Sequence, residues 1–274
     1  PNHLKTLREA DSPLDGHPNP MEGVAFFDAA TGSLGQGLSV AAGLGLAANA
    51  DNTGRKIYCI IGDGEAREGQ ITEALDFIVD HELTNVLPIF NCNSYGQAGA
   101  VSKQQSPERL AEKLRACGYE VSTICGHSPN EIMAAFDAFN TKGRTKPMAV
   151  VAKTIKGWGA PSMQGGNWHG KPATKEALQT VIAELRQTGM KLTSSLNTVS
   201  ISIPEPPPTG ITGTATPQHM HTMTFKEAME KWDMATVLQS GKMATRRAYG
   251  VALRALGHAN KNIWAVDADV SNST

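Results

Sequence analysis

Several features that direct proteins to membranes or nucleic acids are scarce in this sequence. Lysine and arginine number 25 against 26 aspartate and glutamate residues, so no excess of positive charge predicts binding to nucleic acid or to a membrane surface. No apolar run is long enough to cross a bilayer, and no segment has the charged, apolar and small-residue regions of a signal peptide. These absences favour a soluble protein of the cytoplasm.

Cysteine and aromatic side chains are also few. The four cysteines, Cys59, Cys92, Cys117 and Cys125, lie within or beside predicted strands and form no Cys-x-x-Cys pair. Neither a zinc site nor a disulfide framework is therefore indicated, and we expect reduced, mostly buried thiols, as in a cytoplasmic protein. Aromatic residues make up 5%, and the 274 residues suffice for one α/β domain and part of another.

The stretch from residue 57 to residue 95 has the pattern of a βαβ unit. An apolar run that starts at Ile57 predicts a strand, and apolar residues at helical spacing predict an amphipathic helix from Glu68 to His81. A second apolar run, which ends at Pro88-Ile89-Phe90, predicts another strand. The two strands are therefore expected to be parallel neighbours.

Polar residues follow both of these strands. Asp63 follows the first strand and Asn93 follows the second, and the carboxyl ends of parallel strands share one edge of the sheet, where ligands bind. A carboxylate and an amide oxygen side by side suit a hard divalent cation such as Mg²⁺. Gly62 and Gly64 would let the backbone approach such a ligand closely. The plainer alternative is a turn in which Asp63 caps the next helix.

The following segments continue the alternation of helices and strands. Helices are predicted over residues 106–118 and 128–140, and strands over residues 119–125 and 147–154. Strands separated by helices of this length predict an α/β fold, in which helices cover a parallel sheet on both faces.

The chain is predicted to have two domains joined by a linker. Residues 1–190 form the first domain, and residues 191–240 form the linker, which contains the proline-rich run IPEPPPTG and, later, a short helix in FKEAMEKW. Residues 241–274 contain a helix and the strand NIWAVDADV, and we interpret them as the start of a truncated second α/β domain. Because the chain begins with Pro1 rather than methionine and ends directly after this strand, we expect a fragment of a longer polypeptide.

Three further segments carry candidate functional residues. His17 lies in a loop-like run as Gly16-His17-Pro18, where an isolated histidine would ordinarily be an exposed, inactive side chain. Thr31-Gly32-Ser33-Leu34-Gly35-Gln36-Gly37 precedes a helix, and glycines in that position present backbone N–H groups to a ligand. Residues 155–172 form a long glycine-rich loop containing Trp168-His169-Gly170-Lys171, and a loop of this length is often functional.

These segments together resemble the transketolase family of thiamine diphosphate enzymes. Asp63, followed by Glu68 and later by Asn93, resembles the family's diphosphate-binding motif, and the His17 segment, the glycine turn and the Trp168 segment resemble other family motifs in the same chain order. The resemblance implies the parallel-sheet thiamine diphosphate-binding fold. It also implies transfer of a two-carbon ketol unit between sugar phosphates by a homodimer, with no role for nucleic acid or membrane.

The resemblance also implies a cofactor site. Asp63, Asn93 and the backbone carbonyl of Tyr95 would bind Mg²⁺ or Ca²⁺, and the cation would hold the diphosphate. Ser33 stands where the family's glycine turn has proline. The residues implied to contact thiamine diphosphate are Gly32, Leu34, Gly62, Asp63, Gly64, Asn93, His169 and Asp269.

Substrate and catalytic roles follow from the same resemblance. His17 would bind sugar hydroxyls and handle protons, since a neutral imidazole can do both near pH 7. His169 would reach the diphosphate and the reaction centre. Arg246 and Ser273 would bind the phosphate end of the sugar, for which guanidinium and hydroxyl groups are suitable partners. Asp269 would lie near the cofactor.

Two alternatives remain open. Asn91-Cys92-Asn93 departs from the family's usual Asp-Asn or Asn-Asn and also occurs in E1 components of 2-oxo acid dehydrogenases, although the histidine segments and Arg246 suit a sugar phosphate better. The chain could instead be a non-catalytic cofactor-binding subunit that needs a partner chain. In the family, the glutamate that activates the cofactor lies beyond the position of Thr274, so we expect the isolated chain to be inactive.

Overall fold

The computed structural model describes residues 3–14, 16–22, 27–165, 168–192 and 223–266. The chain divides into two compact units, Pro1–Ser202 and Ile203–Thr274. The strands of the first unit are β1 (Ile57–Gly62), β2 (Val86–Cys92), β3 (Glu120–Cys125) and β4 (Met148–Lys153). Its α-helices are α1 (Gln36–Ala50), α2 (Gly69–Asp80), α3 (Pro107–Ala116), α4 (Pro129–Asn140) and α5 (Leu178–Lys191).

The four strands form one parallel sheet in the order β1-β2-β4-β3. This arrangement confirms the predicted α/β fold. Gly62, the last residue of β1, is in register with Asn91 of β2, and the Asp63 N–H donates to the Asn91 carbonyl at 3.3 Å. The register therefore places the turns that follow β1 and β2 side by side at the carboxyl edge of the sheet.

Helices cover both faces of the sheet, but unequally. Helices α1, α2 and α3 pack on one face, where Leu38, Ile78 and Phe90 are fully buried. Helix α4 packs on the other face, where Phe139 is fully buried. The edge strand β1 is less well covered on the α4 face, since Ile60 is 73% exposed.

The helix starts follow from local sequence. Ser106 and Ser128 each accept a hydrogen bond from the backbone N–H three residues later, and a proline occupies the first turn of both α3 and α4. Proline is favoured there because its missing N–H would have no partner inside the helix. The predicted bounds of both helices therefore agree with the structure to within two residues.

The second unit, as far as it is described, is helical. Its helices are α6 (Phe225–Lys231), α7 (Ala235–Ser240) and α8 (Thr245–Ala259). A small core of Ala228, Met229, Val251 and Ala255 joins α6 to α8. Helices α6 and α7 lie within residues 191–240, the predicted linker, of which residues 193–222 are outside the described part.

The strand predicted at NIWAVDADV does not form in the described part of that segment. Residues 261–266 are turn and irregular backbone, and Trp264 and Val266 are 62% and 83% exposed. The physical reason is that residues 223–266 contain no other strand with which it could pair. None of the described helices is both long and apolar enough to cross a membrane.

Candidate functional site

The Asp63 carboxylate joins the two turns at the carboxyl edge of the sheet. Asp63 is only 2% exposed. Its Oδ1 accepts a hydrogen bond from the Gly64 N–H at 2.8 Å, and its Oδ2 accepts one from the Ser94 N–H at 2.6 Å. One side chain therefore links the turn after β1 to the turn after β2.

Burial raises the pKa of the Asp63 carboxyl above its ordinary value. The backbone N–H groups of Ser94, Gly64 and Asn93 act in the opposite direction, as does the positive charge of Lys156. No lysine or arginine forms an ion pair with Asp63 among the residues that the structure describes. A divalent cation here would offset the cost of ionising a buried carboxyl.

Helix capping does not account for Asp63. Helix α2 begins at Gly69, and the residue in the capping position is Glu68, whose side chain makes no capping hydrogen bond. Gly64 has ordinary helical backbone angles, so this position does not need the conformational freedom of glycine and depends instead on its small size. A Cβ on Gly64 would lie 3.3 Å from the Gly96 Cα, so glycine lets the two turns approach each other.

Asn93 and Tyr95 lie in the turn after β2. The Asn93 Oδ1 accepts a hydrogen bond from the Tyr95 N–H at 2.9 Å, and the Asn93 N–H faces the Asp63 carboxylate. The Gly96 N–H donates to the Gly99 carbonyl at 2.8 Å and closes the turn.

This donor set fits the implied cation. The described residues contain no cluster of three or more His, Cys, Asp or Glu side chains that could enclose a metal. Mg²⁺ often takes few protein ligands and completes its shell with phosphate oxygens. One carboxylate, one amide oxygen and a backbone carbonyl are therefore sufficient protein ligands for a cation that also binds a diphosphate.

Gln105 is a site residue that the sequence reasoning missed. Its side chain is 3% exposed, and its Nε2 donates to the Asp63 carbonyl and, at 3.3 Å, to the Gly64 carbonyl. Its Oε1 accepts from the Ser102 N–H at 3.1 Å. The Ser-x-x-Gln spacing of residues 102–105 signals a capping box, but nothing local indicates the contact with Asp63.

Lys156 is a second missed residue, and it lies in the long loop after β4. Its Nζ donates to the Gly96 carbonyl at 3.2 Å and lies 5.9 Å from the centre of the Tyr95 ring. The same loop returns to Tyr95 at Gly165, where a Cβ would lie 3.6 Å from the Tyr95 hydroxyl. The loop therefore adds positive charge beside the turn of Asn93.

The glycine turn before α1 is in contact with His17. Gly32 and Gly35 have φ angles of 131° and 89°, which favour glycine. A Cβ on Gly32 would lie 2.5 Å from Cδ2 of the His17 ring. The exposed His17 imidazole therefore packs directly on the turn, in which Leu34 is 45% exposed; its role in substrate binding and proton transfer stays a prediction.

A cleft of about 1010 Å³ runs along β1 beneath α1. One end is formed by Gly32, Leu34 and Glu65, and the other by Asp51 and Arg55. Only the glycine-turn end contains residues predicted to contact the cofactor, so the cleft adjoins the candidate site without coinciding with it.

Comparison with known proteins identifies the family. Residues 2–203 match the family model described as transketolase, thiamine diphosphate binding domain. The chain belongs to the transketolase family. Mouse transketolase is 34% identical over 284 residues, and transketolase-like protein 2 of Bos taurus is 33% identical over 273 residues. Each alignment covers 99% of this chain and 40% of the relative.

Solved transketolase structures have the same fold as this chain. The transketolase of Campylobacter jejuni superposes with a TM-score of 0.58 at 30% identity, over 69% of this chain and 30% of that one. A Pichia stipitis transketolase in complex with sedoheptulose-7-phosphate shows the same fold, with a TM-score of 0.58 at 23% identity over 68% and 29% of the two chains. The chain spans about 40% of the length of the curated relatives it matches. These relatives do not favour the E1 alternative.

Four other predicted site residues have no described contact with the Asp63 turn: His169, Arg246, Asp269 and Ser273. His169 lies in an exposed turn, and no hydrogen bond among the described residues joins it to Asp63 or to the glycine turn. Arg246 is exposed in the first turn of α8, in the second unit. Asp269 and Ser273 lie outside the described residues.

Proposed function

We propose that this chain forms the diphosphate-binding part of a transketolase active site and holds thiamine diphosphate through Mg²⁺ or Ca²⁺. The observation that carries the proposal is the buried Asp63 carboxylate, which spans the turns after β1 and β2. Membership of the family, over its thiamine diphosphate binding domain, supports the same cofactor.

The residues of the two turns would bind the diphosphate together, mainly through the cation. Asp63 and the amide oxygen of Asn93 would hold the cation together with the Tyr95 carbonyl. Lys156 adds a positive charge on the same side, which favours an anionic ligand. The glycine turn that precedes α1 would also contact the cofactor, through Gly32 and Leu34.

The proposed reaction transfers a two-carbon ketol unit from a ketose phosphate to an aldose phosphate. When bound, thiamine diphosphate supplies the carbanion chemistry, while the protein orients the reactants and moves protons. His17 is exposed against Gly32, where its imidazole would bind a sugar hydroxyl and move a proton. His169, Asp269, Arg246 and Ser273 remain predicted contributors.

Sugar phosphates and a second copy of the chain are the proposed partners. The Pichia stipitis relative is in complex with sedoheptulose-7-phosphate, which supports a sugar phosphate as the substrate class. The homodimer is carried over from the resemblance to the family.

Calorimetry with the 274-residue chain tests the cofactor proposal. We expect heat of binding for thiamine diphosphate with Mg²⁺ or Ca²⁺, and loss of that heat when a chelator removes the cation. Thiamine monophosphate is the matched control, because it lacks the second phosphate group of the proposed ligand. Equal affinity for both compounds, or an affinity that the chelator does not change, would contradict the proposal.

Activity assays separate the proposed reaction from its alternatives. Xylulose 5-phosphate with ribose 5-phosphate is compared with pyruvate and an electron acceptor, using this chain and any longer polypeptide that contains it. We expect ketol transfer only in the longer polypeptide. Pyruvate oxidation there would favour an E1 component, and transfer by the isolated chain would overturn the expectation that it is inactive. Cofactor binding that appears only after a partner chain is added would favour the binding-subunit alternative.

A further inference from the structure

One carboxylate connects the glycine turn to the end of β1. Glu65 Oε1 accepts a hydrogen bond from the Gly35 N–H at 2.9 Å, and Glu65 Oε2 accepts one from the Gly62 N–H at 3.0 Å. The two amides are 27 residues apart in sequence, as their numbers show, and belong to separate elements. Both oxygens of one side chain are thus engaged by backbone donors on the two sides of the site.

The two donors occupy positions that matter for the geometry of the site. Gly35 is the residue immediately before α1 and ends the turn that contains Gly32 and Leu34. Gly62 is the last residue of β1 and directly precedes Asp63. The Glu65 carboxylate therefore sets the distance between the glycine turn and the predicted cation ligand.

Gly35 has little freedom to move away from this contact. A Cβ on Gly35 would lie 2.9 Å from the Glu68 Cβ, so the turn is pressed against the segment that leads into α2. Its φ of 89° is a left-handed backbone conformation that favours glycine, and its N–H donates to the Glu65 carboxylate at 2.9 Å. Hydrogen bonds from backbone N–H groups to a carboxylate are among the stronger ones in proteins.

We propose that Glu65 is a positioning residue of the cofactor site, whose carboxylate holds the glycine turn and the Asp63 turn in register so that both contact one ligand. The inference rests on the proposed function, because the ligand is the thiamine diphosphate assigned above. Glu65 itself touches neither the cation nor the cofactor in this proposal, and it acts through Gly35 and Gly62.

The Glu65→Gln variant tests this role with little change of shape. Glutamine offers one acceptor oxygen in place of two, so its NH₂ group must face one of the two backbone donors. Glu65→Asp is the conservative variant, since its shorter carboxylate keeps the charge and can still accept from one donor. Glu227→Gln is the matched control: the Glu227 carboxylate accepts from the Thr224 N–H at 2.7 Å in α6 of the second unit.

Two measurements are made on the 274-residue chain. The first is amide hydrogen exchange at Gly35 and Gly62 without ligand, by NMR. The second is the Kd for thiamine diphosphate in excess Mg²⁺, by calorimetry at a temperature at which every variant is folded. We expect Glu65→Gln to speed exchange at Gly35 or at Gly62, whichever faces the NH₂ group, and to raise the Kd about tenfold, in line with the loss of one charge-assisted hydrogen bond. Glu65→Asp should lie between wild type and Glu65→Gln, and Glu227→Gln should change neither quantity.

The outcomes separate a positioning role from a merely structural one. A Kd unchanged in Glu65→Gln, with faster exchange at either glycine, overturns the positioning role, because the junction would then be loosened without consequence for the ligand. Unchanged exchange at both glycines also overturns it. Absence of binding by the wild-type chain contradicts the proposed function instead, and the exchange data then still decide whether Glu65 holds the turn.

Discussion

The turn that follows β1 and the glycine turn that precedes α1 form two sides of the proposed site, and they are held in different ways. Asp63 is 2% exposed and both of its carboxylate oxygens are hydrogen-bonded, while the buried Gln105 amide holds its backbone carbonyl. The glycine turn is largely exposed, and Glu65 is its hydrogen-bonded link to β1 among the described residues. One side is therefore preorganised by a buried polar network, and the other depends on glycine backbone angles and one carboxylate.

The largest effect on cofactor affinity should come from removing the Asp63 carboxylate, which lies at the centre of the buried turn. Asp63→Ala removes the carboxylate ligand and leaves the Gly64 and Ser94 N–H groups without their acceptor. We expect thiamine diphosphate affinity in excess Mg²⁺ to fall about a hundredfold or more, since loss of even an outer-shell partner of a metal site costs 10–100-fold. Calorimetry checks this, with Asp80→Ala at the exposed end of α2 as the control. Affinity within threefold of wild type would rule out Asp63 as a cation ligand.

Gln105→Ala should weaken the support beneath the same turn. It removes the partners of the Asp63 carbonyl, the Gly64 carbonyl and the Ser102 N–H; the first of these contacts is buried and the other two are part-buried. We expect the free energy of unfolding to fall by about 1–3 kcal/mol, because an unsatisfied buried polar group costs about that much. Urea unfolding measures it.

The neighbouring Gln104→Ala is the matched control for this variant. Gln104 is exposed, and only its backbone groups take part in the hydrogen bonds described, so its truncation should change stability by less than about 0.5 kcal/mol. Equal effects of the two substitutions would mean that the Gln105 contacts contribute nothing particular to the turn.

Gly32→Ala acts on the glycine turn alone. The φ of 131° disfavours any side chain, and a Cβ would collide with the His17 ring at 2.5 Å. We expect a loss of about 1–2 kcal/mol in stability from the strained backbone, together with weaker cofactor binding. Gly43→Ala in α1 is the control, since nothing lies within 4 Å of its Cβ position, and it should stabilise the chain by about 0.5–1 kcal/mol. An unaffected Gly32→Ala variant would show that the turn adapts freely.

Stability at high pH tests the burial of β2 beneath the Asp63 turn. Burial, reinforced by the charges of Asp63 and Glu108, raises the pKa of the Cys92 thiol from 9.0 to about 12. The unfolded chain therefore loses this proton at lower pH than the folded chain does, and stability should fall as pH rises above 9. The slope from one such thiol is about 1.4 kcal/mol per pH unit. Urea unfolding from pH 8 to pH 10.5 should show a shallower decline for Cys92→Ala than for wild type, and identical declines would contradict the burial argument.

Much of the frame of the site could be predicted from local sequence. Apolar runs and the helical pattern of residues 68–81 located β1, α2 and β2, and Ser-Pro pairs marked the starts of α3 and α4. Asp63 and Asn93 were predicted as neighbours because both follow strands of one parallel sheet, and the register of Gly62 with Asn91 brings their turns together. These features depend on periodicity and on short-range capping, which a sequence shows directly.

The contacts that support the site could not be predicted in that way. Gln105 reaches Asp63 across 42 positions, Lys156 reaches Gly96 across 60, and Glu65 reaches Gly35 across 30. Nothing in the residues around each side chain distinguishes it from a solvated glutamine, lysine or glutamate. The predicted strand near Trp264 failed in its described part for a related reason, since a strand needs a partner that its own sequence cannot specify.

The sequence by itself determined the α/β alternation, the polar residues at the ends of β1 and β2, and the motifs that resemble transketolases. Periodicity and turn chemistry are local properties, because they depend only on residues close together in the sequence. Tertiary structure alone decided which side chains fill the space between the turns. Glu65, Gln105 and Lys156 acquire their roles only when folding brings distant backbone groups within hydrogen-bonding distance, where buried donors and acceptors must be paired.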